Sequence, residues 1–199
     1  MKLEDFHVQP ASWAREADRV ALLGVREEVF IREQGVPVAR EHDALDADAW
    51  HLLARDRNGT PIGCARLTAA HLIGRMAVLP AWRGHGVGRA LLREAIARAR
   101  ALGWQEVGLH AQAAAIGFYA GAGFTAYGER FMDAGIEHQA MRLELAAADT
   151  TPVPVAAAGR LPVTGPGELA AARRQLLADT RRQLALRLPQ LAPEAWASD

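Results

Sequence analysis

Ile73-Gly74-Arg75-Met76-Ala77-Val78-Leu79-Pro80-Ala81-Trp82-Arg83-Gly84-His85-Gly86-Val87-Gly88-Arg89-Ala90-Leu91-Leu92 runs from an apolar strand through a glycine-rich turn into an amphipathic helix. The first amides of a helix have no partner within it and lie at the positive end of its dipole, so backbone alone can bind a diphosphate there. Glycines at 84, 86 and 88 let the chain approach phosphates closely and take left-handed angles without a side-chain clash. Arg83 and Arg89 add positive charge to the same turn. The segment is not the nicotinamide fingerprint, which needs an acidic residue at the end of a second parallel strand. Nor is it a P-loop, because the Gly-Lys-Ser/Thr ending is missing.

Outward from this turn the periodicity alternates between two and 3.6. Residues 89–102 place Leu91, Leu92, Ala95, Ile96, Ala99 and Leu102 on one face and Arg93, Glu94, Arg98 and Arg100 on the other, with Gly103 as the stop. The arginine face reads as a solvated surface and not as a nucleic-acid contact. Upstream, 51–56 and 62–69 are strand-like runs joined by Arg57-Asn58-Gly59-Thr60, and Asn-Gly is a hairpin signal because both residues tolerate positive φ. Residues 3–9 form a first strand, and a helix or broken helix follows from Ser12 to Gln34-Gly35. The polar loop 36–49 carries Glu41, Asp43, Asp46 and Asp48 and reads as too acidic for the core, so its carboxylates are expected to face water or a ligand. Downstream come a strand at 106–110, a short helix at 113–121, and strands at 124–132 and 138–145. This order predicts a mixed α/β layer fold.

The 199 residues, with zero formal net charge, 50% hydrophobic and 23% charged content, describe a globular protein able to bury a sizeable core. Charge balance argues against a nucleic-acid binder. Cys64 is the only cysteine, so no internal disulfide and no cysteine-built zinc site can form; no His/Asp/Glu cluster has metal-ligand spacing, and none is expected to hold a metal. Cys64 lies in an apolar run and reads as a core residue. No stretch approaches a membrane span and the N-terminus lacks an apolar signal core, so the expected compartment is the cytoplasm and no membrane partner is expected. The domain is expected to occupy 1–146, followed by a Pro/Ala-rich linker at 147–163 and an amphipathic helical tail at 164–199. The tail is too short for a core of its own. It must dock on the domain, pair with a second copy as a homodimer, or begin something further.

Arg83-Gly84-His85-Gly86-Val87-Gly88 resembles the Arg/Gln-x-x-Gly-x-Gly/Ala signature of the GCN5-related N-acetyltransferases, the GNAT family. Ile116-Gly117-Phe118-Tyr119-Ala120-Gly121-Ala122-Gly123-Phe124 resembles that family's later aromatic and Gly-Phe element. Val29-Phe30-Ile31-Arg32-Glu33-Gln34-Gly35-Val36-Pro37, Glu41-His42-Asp43, Asp46 and Leu109-His110-Ala111-Gln112 narrow the resemblance to the ElaA/YjcF-like branch. It covers roughly residues 1–146 and implies a largely antiparallel sheet flanked by helices, with two splayed parallel strands, 72–79 and 106–110, forming an acyl-CoA cleft.

By the same resemblance, the backbone of Met76, Ala77 and Val78 would pair with the pantetheine arm of acetyl-CoA, and Arg83, Gly84, His85, Gly86, Val87, Gly88 and Arg89 would hold its pyrophosphate. Gln112 stands where many relatives have an asparagine that contacts the cofactor, and Phe118 lies in the aromatic element beside it. The implied reaction is direct acetylation of a small-molecule or protein amine. That chemistry needs an acid for the departing thiolate, a donor for the developing oxyanion and a route for the amine proton. Tyr119 is the implied acid, because a phenol stays protonated at neutral pH, and a strand amide, that of Val78, is the oxyanion donor. Glu33, Asp43, His51 and His110 are the candidates for the base, His110 because it ends the strand beside the cleft and histidine titrates near neutrality. The acidic residues at 41, 43, 46 and 48 would favour a cationic acceptor. The alternative is a non-catalytic acyl-CoA-binding module that acts through its tail.

Overall fold

The computed structural model describes residues 6–145; the start of the predicted first strand, the linker 147–163 and the tail 164–199 lie outside the described residues. The elements follow one another as β1 (Phe6–Ala11), α1 (Glu16–Arg26), a π-helical segment (Glu27–Glu33), α2 (Val38–Glu41), β2 (Trp50–Asp56), β3 (Pro61–Thr68) and β4 (Leu72–Val78). Then come a 3₁₀ turn (Pro80–Trp82), α3 (Val87–Ala101), β5 (Glu106–Gln112), a second 3₁₀ turn (Ala113–Ala115), α4 (Ile116–Ala120), β6 (Thr125–Ala126), β7 (Phe131–Asp133) and β8 (Ile136–Glu144). The strands form one sheet in the order β1-β2-β3-β4-β5-β8-β6, with β7 also on β8. Every pairing is antiparallel except β4 with β5. The predicted mixed, largely antiparallel sheet flanked by helices is therefore the observed architecture.

The alternation of side chains along the strands builds two cores. Leu52, Ala54, Ala65 and Leu67 face α3 and meet its stripe Leu91, Leu92, Ala95, Ile96 and Ala99. Leu53, Cys64 and Ala77 face the opposite way and meet Leu22 and Val25 of α1 and Val29 of the π-helical segment. Each fully buried leucine here contributes about 1.5–3 kcal/mol. The Asn-Gly hairpin forms as expected: Asp56 Oδ1 accepts the amides of Asn58 at 2.9 Å and Thr60 at 2.8 Å, and Gly59 takes φ 83. Among the described residues no helix is long and apolar enough to cross a membrane.

Of the two readings of the first helical segment, the broken helix is the one observed: after Arg26 its hydrogen bonding loosens to the i to i−5 pattern, Gln34 N donating to Val29 O at 3.2 Å. Two expectations change. The strand expected at 124–132 is interrupted, because Gly128 turns the chain at φ 67 and the Gln139 side chain, not a strand, caps the Tyr127 carbonyl at 2.6 Å. The acidic loop is not simply solvated: Glu41 is 1% exposed and Asp46 2%.

Candidate active site

Strands β4 and β5 pair at only two positions, Leu72 with Gly108 and Ile73 with Leu109. Beyond Ile73 they diverge, and the cause is a bulge in β4. Cys64 of β3 faces Ala77 and Arg66 faces Gly74, so β4 carries one extra residue between them, and Arg75 takes the left-handed conformation at φ 49. Leu79 N donates to Ile62 O on β3 at 2.9 Å. Because alternate strand amides point to opposite sides, the Val78 amide faces away from β3 and into the gap, where pairing with β5 has already ended. The splay thus leaves strand edge at Met76 and Val78 turned toward a cleft.

At the end of β4 the glycine-rich turn opens α3. Gly84 and Gly86 sit at φ 75 and 86, and a Cβ built on either would meet none of the described residues within 4 Å. Gly86 is the residue before the helix, and no side chain caps the first turn. The first intrahelical bond of this end runs from Ala90 N to Gly86 O at 3.0 Å, which leaves the amides of Val87, Gly88 and Arg89 without helical acceptors. His85 Nδ1 donates to Arg83 O at 2.7 Å and stiffens the turn. Arg89 is exposed on the first turn. Arg83 is engaged: its Nε donates to Val78 O at 3.0 Å and its Nη1 to Glu33 Oε1 at 2.8 Å.

The aromatic element closes the other side. A Cβ on Gly88 would touch Phe118 Cζ at 3.6 Å and Val78 Cγ2 at 3.7 Å, so Phe118, Val78 and the helix start meet at one point. Tyr119 packs edge-on against Phe118 and Phe124, and its hydroxyl reaches Met76 Sδ at 3.8 Å. Burial pushes the Tyr119 phenol up to about 12, so it is a proton donor, not a phenolate, at neutral pH. His110 is exposed on β5 and lies edge-on to Phe131, which stacks on His138. At the end of β5 the Gln112 amide donates to Gln34 Oε1 at 2.9 Å, which ties β5 to the end of the π-helical segment.

The remaining base candidates are held by other partners. Hydrogen bonds from Arg83 hold Glu33 below the usual carboxylate range. His51 is 3% exposed, stacks on Trp13 and donates from Nε2 to Asp46 O at 2.8 Å; burial lowers its pKa. Asp43 belongs to a cluster that periodicity did not reveal. Arg26, 1% exposed, forks between Glu41 and Asp46; Arg66 bridges Asp46 Oδ1 at 2.8 Å and Asp43 Oδ1 at 2.7 Å; Arg75 reaches Asp43 Oδ2 at 2.8 Å. Burial alone would raise Asp43 and Asp46, but the arginine hydrogen bonds and charges outweigh it and leave both lowered. The charges balance, three arginines against three carboxylates, so these acids are not free for a cationic acceptor; Asp48 alone of the four stays exposed. A sequence cue exists: Arg66 stands between Ala65 and Leu67 in a strand, and Arg26 shares a helical face with Leu22 and Val29, places where an unpaired charge cannot remain. Cys64 is buried with its thiol pushed up to about 12, which removes it as a nucleophile.

A family model described as an acetyltransferase (GNAT) domain matches residues 15–145. The uncharacterized N-acetyltransferase YjcF of Bacillus subtilis (strain 168) is 36% identical over 121 residues, which are 59% of this chain and 86% of that protein. An acyl-CoA N-acyltransferase from Pseudomonas aeruginosa superposes with a TM-score of 0.63 at 33% identity, over 69% of this chain and 99% of that one. Escherichia coli ElaA does so with a TM-score of 0.63 at 28% identity, over 70% and 99%.

Proposed function

Because this chain belongs to the GNAT acetyltransferase family, in its ElaA/YjcF-like branch, we propose that it moves the acetyl group of acetyl-CoA onto a primary amine by direct attack in a ternary complex. The observation that carries this reading is the pairing of an unladdered strand edge with an uncapped helix start at the end of the same strand. The edge at residues 76–78 takes the pantetheine amides as a further strand would. The amides at the start of α3, with Gly84 and Gly86 bent out of the way, take the pyrophosphate, and Arg89 adds charge. Arg83 can add a second cation by exchanging Glu33 for phosphate.

In the chemical step the amine nitrogen attacks the thioester carbon and the Val78 amide meets the oxygen that gains charge. The carbon–sulfur bond then breaks, the sulfur takes the Tyr119 proton and free thiol departs. The amine gives up its own proton to His110, directly or through water. His110 is assigned this role because, of the four candidates, it alone is exposed on a cleft strand without a charged partner among the described residues, whereas Glu33 and Asp43 are bound to arginines and His51 is buried. Gln112 keeps one amide hydrogen beyond its bond to Gln34 and can offer it to the bound thioester arm. Family membership favours this reading over a non-catalytic acyl-CoA-binding module.

The test is a library of primary amines scored by release of free thiol from acetyl-CoA, with calorimetry of CoA binding beside it. Amine-dependent thiol release together with a heat of CoA binding is expected. A chain that gives no heat with either CoA or acetyl-CoA does not have this function.

A further inference from the structure

The acidic loop and the bulged strand are joined through one side chain. Arg75 sits at the left-handed position of the β4 bulge, a conformation that L side chains rarely adopt and that persists only where its surroundings enforce it. Its guanidinium is the visible restraint. Nε donates to the Glu41 carbonyl at 3.1 Å, and Nη2 donates to the Arg40 carbonyl at 3.1 Å and to Asp43 Oδ2 at 2.8 Å. From the other side, the Cys64 thiol donates to the Arg75 carbonyl at 3.4 Å. Asp43 cannot drift, because Arg66 holds both of its oxygens, at 2.7 and 2.9 Å. Arg66 in turn shares Asp46 with Arg26, deep in the second core.

The bulge decides where β4 leaves β5, and so where the amides beyond it stand. Arg75 is followed directly by Met76, Ala77 and Val78, with no other residue between the tether and the strand edge of the cleft. A shift of the Arg75 turn therefore moves that edge as a unit. We propose that Arg75 is a positioning residue for acyl-CoA, its fork onto Asp43 and the Arg40 and Glu41 carbonyls setting the place at which residues 76–78 meet the thioester arm. The inference rests on the acetyl-CoA reading above. It gives loop 36–49 a role in cofactor affinity, in place of charge attraction for the acceptor.

The experiment compares wild type, Arg75→Gly, Asp43→Asn and the double variant by circular dichroism, thermal melting and calorimetric titration with CoA. Glycine is at ease at positive φ, so Arg75→Gly removes the fork without straining the turn. Asp43→Asn keeps the size and removes the charge. Folded Arg75→Gly is expected to bind CoA about tenfold more weakly, since small misplacements of binding groups are costly. Asp43→Asn should weaken binding in the same direction, and the double variant should be no weaker than Arg75→Gly alone, because both act through one link. Variants that melt earlier yet bind CoA as tightly as wild type would show a purely structural tether and overturn the proposal. Should Arg75→Gly fail to fold, the CoA affinity of Asp43→Asn decides the matter. A wild-type chain that binds no CoA overturns the acetyl-CoA reading itself, and this inference with it.

Discussion

The Tyr119 hydroxyl lies 3.8 Å from Met76 Sδ, so the phenol on α4 meets the residue that follows Arg75 in the β4 bulge. Among the described residues the phenol has no charged partner, and its ring is fixed by Phe118 and Phe124. Tyr119→Phe keeps that packing and removes only the proton donor. Turnover should fall by about 10²–10⁴, the usual worth of a positioned acid. CoA affinity and melting temperature should stay near wild type, because the lost contact to sulfur is weak. Thiol-release kinetics with parallel CoA calorimetry check this; undiminished turnover would remove Tyr119 from the chemistry.

Burial also gives Tyr119 a pH signature. Its phenol is pushed up to about 12 in the folded chain, against about 10 for an unfolded tyrosine. Folding therefore holds the proton more tightly, and the stability this contributes is complete below about pH 10 and lost as pH rises from there toward 12. Urea titrations between pH 9 and 11 should show wild type losing stability more steeply above pH 10 than Tyr119→Phe. Any fall of kcat below about pH 10 must then come from another group.

The buried arginine cluster predicts a stability effect. Arg26 is 1% exposed and serves Glu41 and Asp46 together. Arg26→Met fills the space but leaves two buried carboxylates short of a cation, which should cost about 3–5 kcal/mol in chemical denaturation. The exposed pair Arg130 to Glu137 is a control at a similar distance, 2.8 Å. Glu137→Gln should change stability by no more than about 1 kcal/mol. Equal effects at the two sites would show that the cluster does not depend on its burial.

What could be read from the chain and what could not divides along locality. The Asn58-Gly59 hairpin, the α3 stripe and the glycine turn each depend on residues within one turn or two, and each lies where the sequence placed it. The acidic loop was misread because its partners Arg26, Arg66 and Arg75 sit on α1, β3 and β4, and charge content alone does not say whether an acid meets water or an arginine. The bulge has no local cue for the opposite reason: Arg75 is not glycine, and the groups that hold it at positive φ, the Arg40 and Glu41 carbonyls, Asp43 and the Cys64 thiol, come from other segments. Among the base candidates His110 leads on its position at the end of a cleft strand, whereas the partners that set Glu33, Asp43 and His51 aside come from distant segments that spacing does not reveal.

Gly86 and Gly88 are not equivalent, and variants at the two test whether the turn is a phosphate cradle or an ordinary loop. Gly86 stands at φ 86 immediately before α3, so an alanine there carries a left-handed strain of about 1–2 kcal/mol. Its methyl would also enter open space at the helix start, since none of the described residues lies within 4 Å. Gly88 is already helical, and its added methyl would make ordinary contacts at 3.6 and 3.7 Å with Phe118 and Val78. Gly86→Ala should therefore weaken CoA binding by about tenfold or more, the added methyl displacing the ligand. Gly88→Ala should bind nearly as wild type and melt slightly higher, since alanine is the better helix former by up to about 1 kcal/mol. Calorimetry and melting curves on the two variants are decisive. If Gly86→Ala melts lower but binds CoA like wild type, the turn is structural and the pyrophosphate does not sit on it.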